Sequence, residues 1–260
     1  PPTQNLPVIH WQILPQEDTT DLHIHGVSGR KMIRPRRADR TASRSTRTAE
    51  ATSLQESRTQ TIPRPWLEQL KLGGVLVTPW GTDWSNGVML TLRANTDGTA
   101  VGRFSGNLAF MRVRTQRRAL YGWQPTQGQI DAANVSTTEC RGADLDRMLN
   151  PELGNFAIGA RLDPCCLEVA WDANGERRHV LELDHRDSGS WARLDADLTR
   201  PDPWQVRQLG PRRLWDEAET AYDWWHDQGE PGMDQFGVMI GPGRQWLWLE
   251  QPENVVRVVL

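Results

Sequence analysis

The sequence predicts an α/β core followed by an α+β domain, and three observations lead to this prediction. First, a short helical segment precedes a continuous apolar run at residues 75–80, and such a run is typical of a strand covered on both faces. Second, strand-like segments follow that are joined by turn sequences such as Asp97-Gly98. Third, residues 211–226 carry apolar side chains at helical spacing among further strand-like segments.

The individual elements follow from local patterns. We expect a helix at residues 66–71, with Pro63 and Pro65 at its start and glycines at its end, which is the usual asymmetry of helix ends. A second short helix is expected at residues 144–149. Strands are predicted at residues 75–80, 88–93, 100–104, 108–114, 156–161, 166–171, 178–183, 190–194, 236–240 and 245–249.

Composition excludes several classes of protein. The 260 residues carry a net charge of -3, which gives no sign of a nucleic-acid or membrane-surface protein. No apolar run is long enough for a membrane-spanning helix, and the first residues show no signal-peptide pattern. The three cysteines, Cys140 and the adjacent Cys165-Cys166, have neither a disulfide framework nor zinc-site spacing. We therefore expect a cytoplasmic protein with no metal, in which the adjacent cysteines are buried.

Residues 1–60 differ in composition from the rest of the chain. Residues 30–47 hold eight basic side chains and one acidic one, and Leu54 is the only large apolar residue between Arg34 and Gln60. Such a stretch cannot bury enough surface to offset the entropy of ordering. It also lacks the interleaved aromatic residues that bind nucleic acid by stacking. We expect this atypical basic segment to be disordered or to derive from a shifted reading frame.

A resemblance is carried by residues 61–80, which read TIPRPWLEQLKLGGVLVTPW. They resemble the later half of the core in the protein-L-isoaspartate O-methyltransferase family, where an Ile-Pro turn opens a helix, a Leu-Lys-Pro-Gly-Gly turn closes it and a buried strand follows. Leu72 stands where that family usually has proline. The Asp97-Gly98 turn and residues 106–111, GNLAFM, resemble the family's last two strands, so the match covers roughly residues 61–114.

The last part of the chain carries a second resemblance. Gly189-Ser190-Trp191 and residues 208–217, QLGPRRLWDE, resemble an extension of isoaspartyl-methyltransferase-like proteins from GC-rich bacteria. The domain organisation expected from both matches is an atypical segment 1–60, the C-terminal half of a methyltransferase-like core at 61–122, a linker at 123–140 and an α+β extension domain at 141–260. The expected fold class is therefore α/β, with a partial Rossmann-like class I methyltransferase core followed by an α+β C-terminal domain.

The resemblance implies a function. Members of the family transfer a methyl group from S-adenosylmethionine to isoaspartyl carboxylates in proteins or peptides, which is a protein-repair reaction. The carboxylate is already a nucleophile, so such catalysis consists mainly of positioning, and the sequence points to no catalytic residue. Transferred by position, the match nominates six residues at the substrate and cofactor edge: Thr61, Ile62, Pro63, Thr78, Pro79 and Trp80.

The motifs that would bind the cofactor are missing from residues 1–60. Gly26 and Gly29 are isolated, with no apolar strand leading into them, whereas a cofactor loop needs clustered glycines after a strand. Residues 51–60 are too polar to form a central strand. Two hypotheses stay open: a methyltransferase whose substrate is a protein or peptide with isoaspartyl residues, or an inactive truncated or frame-shifted remnant that acts at most as a binding module. Either could form an oligomer.

Overall fold

A computed structural model describes residues 52–54, 58–85, 87–116, 124–171, 178–200 and 203–259. Most of the atypical segment 1–60 therefore lies outside the described residues. The strands are β1 (Thr52–Leu54), β2 (Val75–Trp80), β3 (Val88–Ala94), β4 (Ala100–Asn107), β5 (Asn134–Thr138), β6 (Cys166–Trp171), β7 (Arg178–His185), β8 (Ser190–Asp197), β9 (Trp204–Leu209), β10 (Phe236–Gly241), β11 (Arg244–Leu249) and β12 (Val255–Val259). The helices are α1 (Arg64–Glu68), α2 (Gln127–Asp131), α3 (Gly142–Leu149), α4 (Gly154–Arg161) and α5 (Leu214–Asp227).

The larger sheet has seven strands in the order β1-β2-β3-β4-β10-β11-β12. Only β1 and β2 pair in parallel, with α1 between them in the sequence. Every other neighbouring pair in this sheet is antiparallel. Because β10 pairs with β4, the sheet combines strands from residues 52–107 with strands from residues 236–259.

The predicted α/β class with a partial Rossmann-like core is wrong. Such a core is a largely parallel sheet, and each parallel pair needs a crossover connection of about a dozen residues or more. Here residues 81–87 join β2 to β3 and residues 95–99 join β3 to β4, and these short loops force antiparallel pairing. The run at Val75–Trp80 does form a strand, but Val75 and Val77 are only half-buried, so one face of it lacks the full cover that the sequence pattern suggested.

The smaller sheet is antiparallel throughout, with five strands in the order β5-β9-β8-β7-β6. Helix α5 packs against it through Leu214, Trp215 and Ala218, which are fully buried in its core. Over the ranges described above, no helix combines the length and apolar character needed to cross a membrane.

Each sheet has its own hydrophobic core, and the loop after β2 contributes to both. Trp80 lies in the core of the larger sheet, where its ring centroid is 4.9 Å from that of Phe104 and 5.9 Å from that of Phe156. Four residues later, Trp84 lies in the core of the smaller sheet. Helix α4 approaches this loop closely because Gly159 has no side chain: a Cβ there would lie 2.7 Å from Thr82 Oγ1.

Several elements differ from those predicted. Residues 156–161, predicted as a strand, belong to α4, since a short apolar run alone does not distinguish a strand from a buried helix. Residues 108–114, also predicted as a strand, form a loop with one bridge between Arg58 and Arg112. Residues 123–140, treated above as a linker, contain α2 and β5, and β9 and β12 were not anticipated.

Candidate functional site

The six residues nominated by the resemblance lie close together at one end of β2. The backbone of Thr59 donates to Pro79 O at 2.9 Å, and the indole Nε1 of Trp80 donates to Gln60 O at 2.8 Å. These bonds place the turn at residues 61–63 directly beside the end of the strand. The structure therefore brings the predicted site residues together, although sequence reasoning could not show what surrounds them.

The first part of the turn is held by the side chain of Gln116. Its Oε1 accepts hydrogen bonds from Thr59 Oγ1 at 2.9 Å, Gln60 N at 2.9 Å and Thr61 N at 3.2 Å. Its Nε2 donates to Thr61 O at 2.6 Å. One amide group thus satisfies much of the backbone of a non-helical, non-strand segment, which would otherwise carry unpaired polar atoms.

The second part of the turn is held by Gln245, the second residue of β11. Ile62 N donates to Gln245 Oε1 at 2.9 Å, and Gln245 Nε2 donates to Ile62 O at 2.7 Å. The side chain of Ile62 is 1% exposed and belongs to the core of the larger sheet. Ile62 therefore fixes the start of α1 against the sheet through both its backbone and its side chain.

Four of the six nominated residues, Ile62, Thr78, Pro79 and Trp80, are too deeply buried to line a site for S-adenosylmethionine. Thr78, Pro79 and Trp80 are buried, and Trp80 is enclosed by the rings of Phe104 and Phe156. A cofactor needs a concave surface whose polar groups face it, whereas these side chains fill a packed core. The resemblance suggested a ligand at the end of this strand, but other side chains of the protein fill that space. We derive no methyl-transfer step through these six residues.

An open groove lies next to the turn, between α1 and two hairpin turns of the larger sheet. It is bounded by α1 and the residues that follow it, by the β3–β4 turn and by the β10–β11 turn. Its volume is about 320 Å³, which lies at the small end of the range for ligand sites, about 300–1,000 Å³. Leu67, Leu70 and Ile240 give it an apolar floor. We call this feature the α1 groove.

Backbone conformation at three glycines shapes the α1 groove. Gly73, Gly98 and Gly243 have φ values of +75°, +78° and +72°, a region that side-chain-bearing residues adopt only with strain. They form the tight turns after α1, between β3 and β4 and between β10 and β11. The turn after α1 is anchored to β3 by hydrogen bonds from Gly73 N to Ala94 O at 3.0 Å and from Ala94 N to Gly74 O at 2.9 Å.

The rim of the α1 groove is cationic. Arg64 pairs with Glu68 at 3.2 Å, so these two charges offset each other. Lys71 and Arg244 also line the groove, and neither has a carboxylate partner among the described residues. The guanidinium of Arg244 lies over the ring of Trp246, 4.8 Å from its centroid, a contact that orients the cation. The groove thus combines an apolar floor with two positive charges that no described carboxylate neutralises.

The cysteine thiols and the possible metal-ligating side chains give no sign of a catalytic site. Burial raises the pKa of the Cys166 thiol to about 12 and that of Cys140 to about 12, so both are protonated at neutral pH and are weak nucleophiles. Burial likewise raises the pKa of Cys165. In the part of the chain that the structure describes, no group of His, Cys, Asp and Glu side chains could hold a metal ion.

Comparisons with protein-family models, with curated proteins and with solved structures give no match. Sequence reasoning located the turn at residues 61–63 but missed Gln116, Gln245, Lys71 and Arg244. Isolated glutamines and surface cations carry no periodic or motif signal, and the pairing of β10 with β4 is what brings Gln245 and Arg244 to this part of the sheet.

Proposed function

We propose that the chain is a binding module that takes a carboxylate-bearing segment of a protein or peptide in the α1 groove, without transferring a methyl group to it. The observation that carries this proposal is the pair of cations, Lys71 and Arg244, beside an apolar floor and without described carboxylate partners. An isoaspartyl residue, with its carboxylate on a short side chain, is the ligand that the sequence resemblance suggests.

The two cations would contribute differently to binding. Arg244 presents a planar guanidinium, already oriented by Trp246, that can donate two parallel hydrogen bonds to one carboxylate. Lys71, three residues after the end of α1, supplies a compact point charge on a flexible side chain. Leu67 and Leu70 offer apolar surface to the methylene groups next to the carboxylate. Because the groove is open, affinity should be modest and sensitive to salt.

The test measures binding of a fluorescent isoaspartyl peptide to the full chain by anisotropy. The matched ligand is the same peptide with a carboxamide in place of the isoaspartyl carboxylate. Lys71→Gln and Arg244→Gln should each weaken binding roughly tenfold, because each removes a charged hydrogen bond. Arg141→Gln, a change of a half-exposed arginine that is not among the groove's lining residues, should leave binding unchanged. Equal affinity for the carboxamide peptide would overturn the proposal.

Methyl transfer is the second candidate, and one local observation favours it. Residues 61–80 have the order of elements that the family shows: an Ile-Pro turn, a helix beginning at Arg64, a glycine turn with Gly73 at φ +75° and a strand beginning at Val75. A methylation assay with S-adenosylmethionine and the isoaspartyl peptide separates the candidates. The binding module should produce no methyl ester at any peptide concentration, whereas turnover would favour the enzyme.

A further inference from the structure

The turn that joins β7 to β8 brings a serine hydroxyl into contact with an imidazole. Strand β7 ends at His185, a single turn of 3-10 helix spans Arg186–Ser188, and β8 begins at Ser190. The distance between His185 Nδ1 and Ser188 Oγ is 2.8 Å, which is a normal hydrogen-bond length. A hydroxyl and a base at this distance are the first requirement for nucleophilic catalysis by serine.

The imidazole of His185 can take the proton of Ser188. When the ring proton is on Nε2, Nδ1 carries a lone pair and accepts from Ser188 Oγ. The backbone O of His185 is a second acceptor for the same proton, but at 3.2 Å it is the more distant one. A serine hydroxyl is a weak nucleophile by itself and becomes reactive when an adjacent base removes its proton. The contact therefore has the geometry of a nucleophile and its general base.

A second hydroxyl holds Ser188 in place. Ser190 Oγ lies 2.8 Å from Ser188 Oγ and accepts from the backbone N–H of Arg212 at 3.0 Å. With Arg212 N donating to it, Ser190 can turn its own proton toward Ser188, and Ser188 can then donate to His185. Ser190 is fully buried, and a Cβ at Gly210 would lie 2.6 Å from its Cα. Ser190 is therefore a rigid positioning residue for Ser188.

Open space lies next to Ser188 on the side of Gly189. Both residues are half-buried, whereas Ser190 is enclosed. Gly189 has a φ of +63°, and a Cβ at this position would meet no atom within 4 Å. A small acyl group can therefore approach the hydroxyl of Ser188 but not that of Ser190.

We propose that Ser188 is a nucleophile that accepts an acyl group from a reactive ester or thioester, with His185 as its general base. In the first step the bond between Ser188 Oγ and the acyl carbon forms, and the Oγ proton moves to His185 Nδ1. The bond from the acyl carbon to the leaving oxygen or sulfur breaks, and the leaving group takes the proton from the imidazole. Water then attacks the acyl carbon, gives a proton to Nδ1 and releases a carboxylic acid, and Ser188 Oγ regains its proton.

This activity is independent of ligand binding in the α1 groove, because neither His185 nor Ser188 lines that groove. The test mixes the full chain with para-nitrophenyl acetate, follows the release of nitrophenolate, and locates the acetyl group by peptide mass spectrometry after an acid quench. We expect a burst of about one equivalent of nitrophenolate per chain and an acetyl group on Ser188. Ser188→Ala should lose both, and peptide mapping separates this signal from acetylation of the two lysines, Lys31 and Lys71.

His185→Asn separates a catalytic role of the imidazole from a role in holding the turn. The asparagine Oδ1 can accept from Ser188 in place of Nδ1, but an amide is not a base. The variant should keep a melting temperature close to that of the parent chain and acetylate Ser188 about 100-fold more slowly or less. Arg244→Gln and Ser105→Ala, the latter at an exposed serine of β4, should leave the rate unchanged. No acetyl group on Ser188, or equal rates for His185→Asn and the parent chain, would each overturn the proposal.

Discussion

Gln245 binds Ile62 through both of its amide atoms, accepting from Ile62 N at 2.9 Å and donating to Ile62 O at 2.7 Å. The side chain imitates the pairing of a neighbouring strand and joins two segments that are 183 positions apart in the sequence. It thereby connects the turn before α1 to the hairpin of β10 and β11. The α1 groove exists because these two segments are held side by side.

The first prediction concerns this pair. Gln245→Ala leaves Ile62 N and O without partners at a part-buried position, so the free energy of unfolding should fall by about 1–3 kcal/mol. Urea denaturation measures the change. Gln251→Ala, at an exposed position, is the control and should have an effect of less than about 0.5 kcal/mol. If the two substitutions lowered the free energy of unfolding equally, the bidentate contact between Gln245 and Ile62 would contribute nothing to stability.

The second prediction distinguishes a core residue from a site residue at Trp80. Its ring is 1% exposed and contacts Phe104 and Phe156. Trp80→Ala should therefore lower the free energy of unfolding by about 3–5 kcal/mol, the usual cost of removing a large buried ring. Trp80→Phe should cost less, since it keeps most of the apolar contact and loses the hydrogen bond to Gln60 O. A Trp80→Ala variant as stable as the parent chain would contradict this placement.

The third prediction is a pH dependence caused by Glu219 on α5. Burial raises the pKa of its carboxyl group, and this effect outweighs the hydrogen bond that Thr138 donates to it. A raised pKa in the folded state stabilises the fold at pH values below the unfolded pKa of about 4.3, and this stabilisation is lost as the pH rises through the folded pKa. Glu219→Gln removes the titration and can still accept from Thr138.

The measurement is urea denaturation of the parent chain and Glu219→Gln at a series of pH values. The stability of the variant relative to the parent should increase as the pH rises from about 4 to about 7. Glu152→Gln, at an exposed position, is the control and should show a smaller trend. A stability difference that stays constant over this interval would mean that the carboxyl group is not perturbed by folding.

The fourth prediction concerns Arg257 on β12. Burial lowers the pKa of its guanidinium to about 10, and both terminal nitrogens are buried without a hydrogen-bond acceptor in the described ranges. A charge buried in this way destabilises the fold. Arg257→Met should therefore raise the free energy of unfolding by about 1–3 kcal/mol.

The gain from Arg257→Met should be the same at all pH values below about 10, because the guanidinium is protonated there in both the folded and the unfolded state. Arg200→Met, at a side chain that is 69% exposed, serves as the control and should change stability by less than about 0.5 kcal/mol. A loss of stability in Arg257→Met would indicate that the guanidinium makes a favourable contact after all.

Local patterns in the sequence predicted much of the secondary structure. The strand at Val75–Trp80, the β3–β4 hairpin around Asp97-Gly98 and the strands predicted at residues 236–240 and 245–249 are confirmed. The helix predicted at residues 211–226 is present as α5 at Leu214–Asp227. These elements could be predicted because hairpin turns and amphipathic helices are each specified by the sequence of a short local segment.

The arrangement of the strands could not be predicted in the same way. An apolar run such as Val75–Trp80 shows that a strand is buried but does not identify its partner, and the pairing of β4 with β10 joins residues more than a hundred positions apart. The resemblance at residues 61–80 suggested a parallel core and placed a ligand at Trp80. The antiparallel partners and the rings of Phe104 and Phe156 fill that position instead.

The most direct test of this account is a calorimetric titration of the full chain, first with S-adenosylhomocysteine and then with the isoaspartyl peptide. The buried Thr78, Pro79 and Trp80 and the cationic α1 groove predict no heat from S-adenosylhomocysteine up to about 1 mM and a saturable heat from the peptide. Micromolar binding of S-adenosylhomocysteine, or no binding of the peptide, would contradict it.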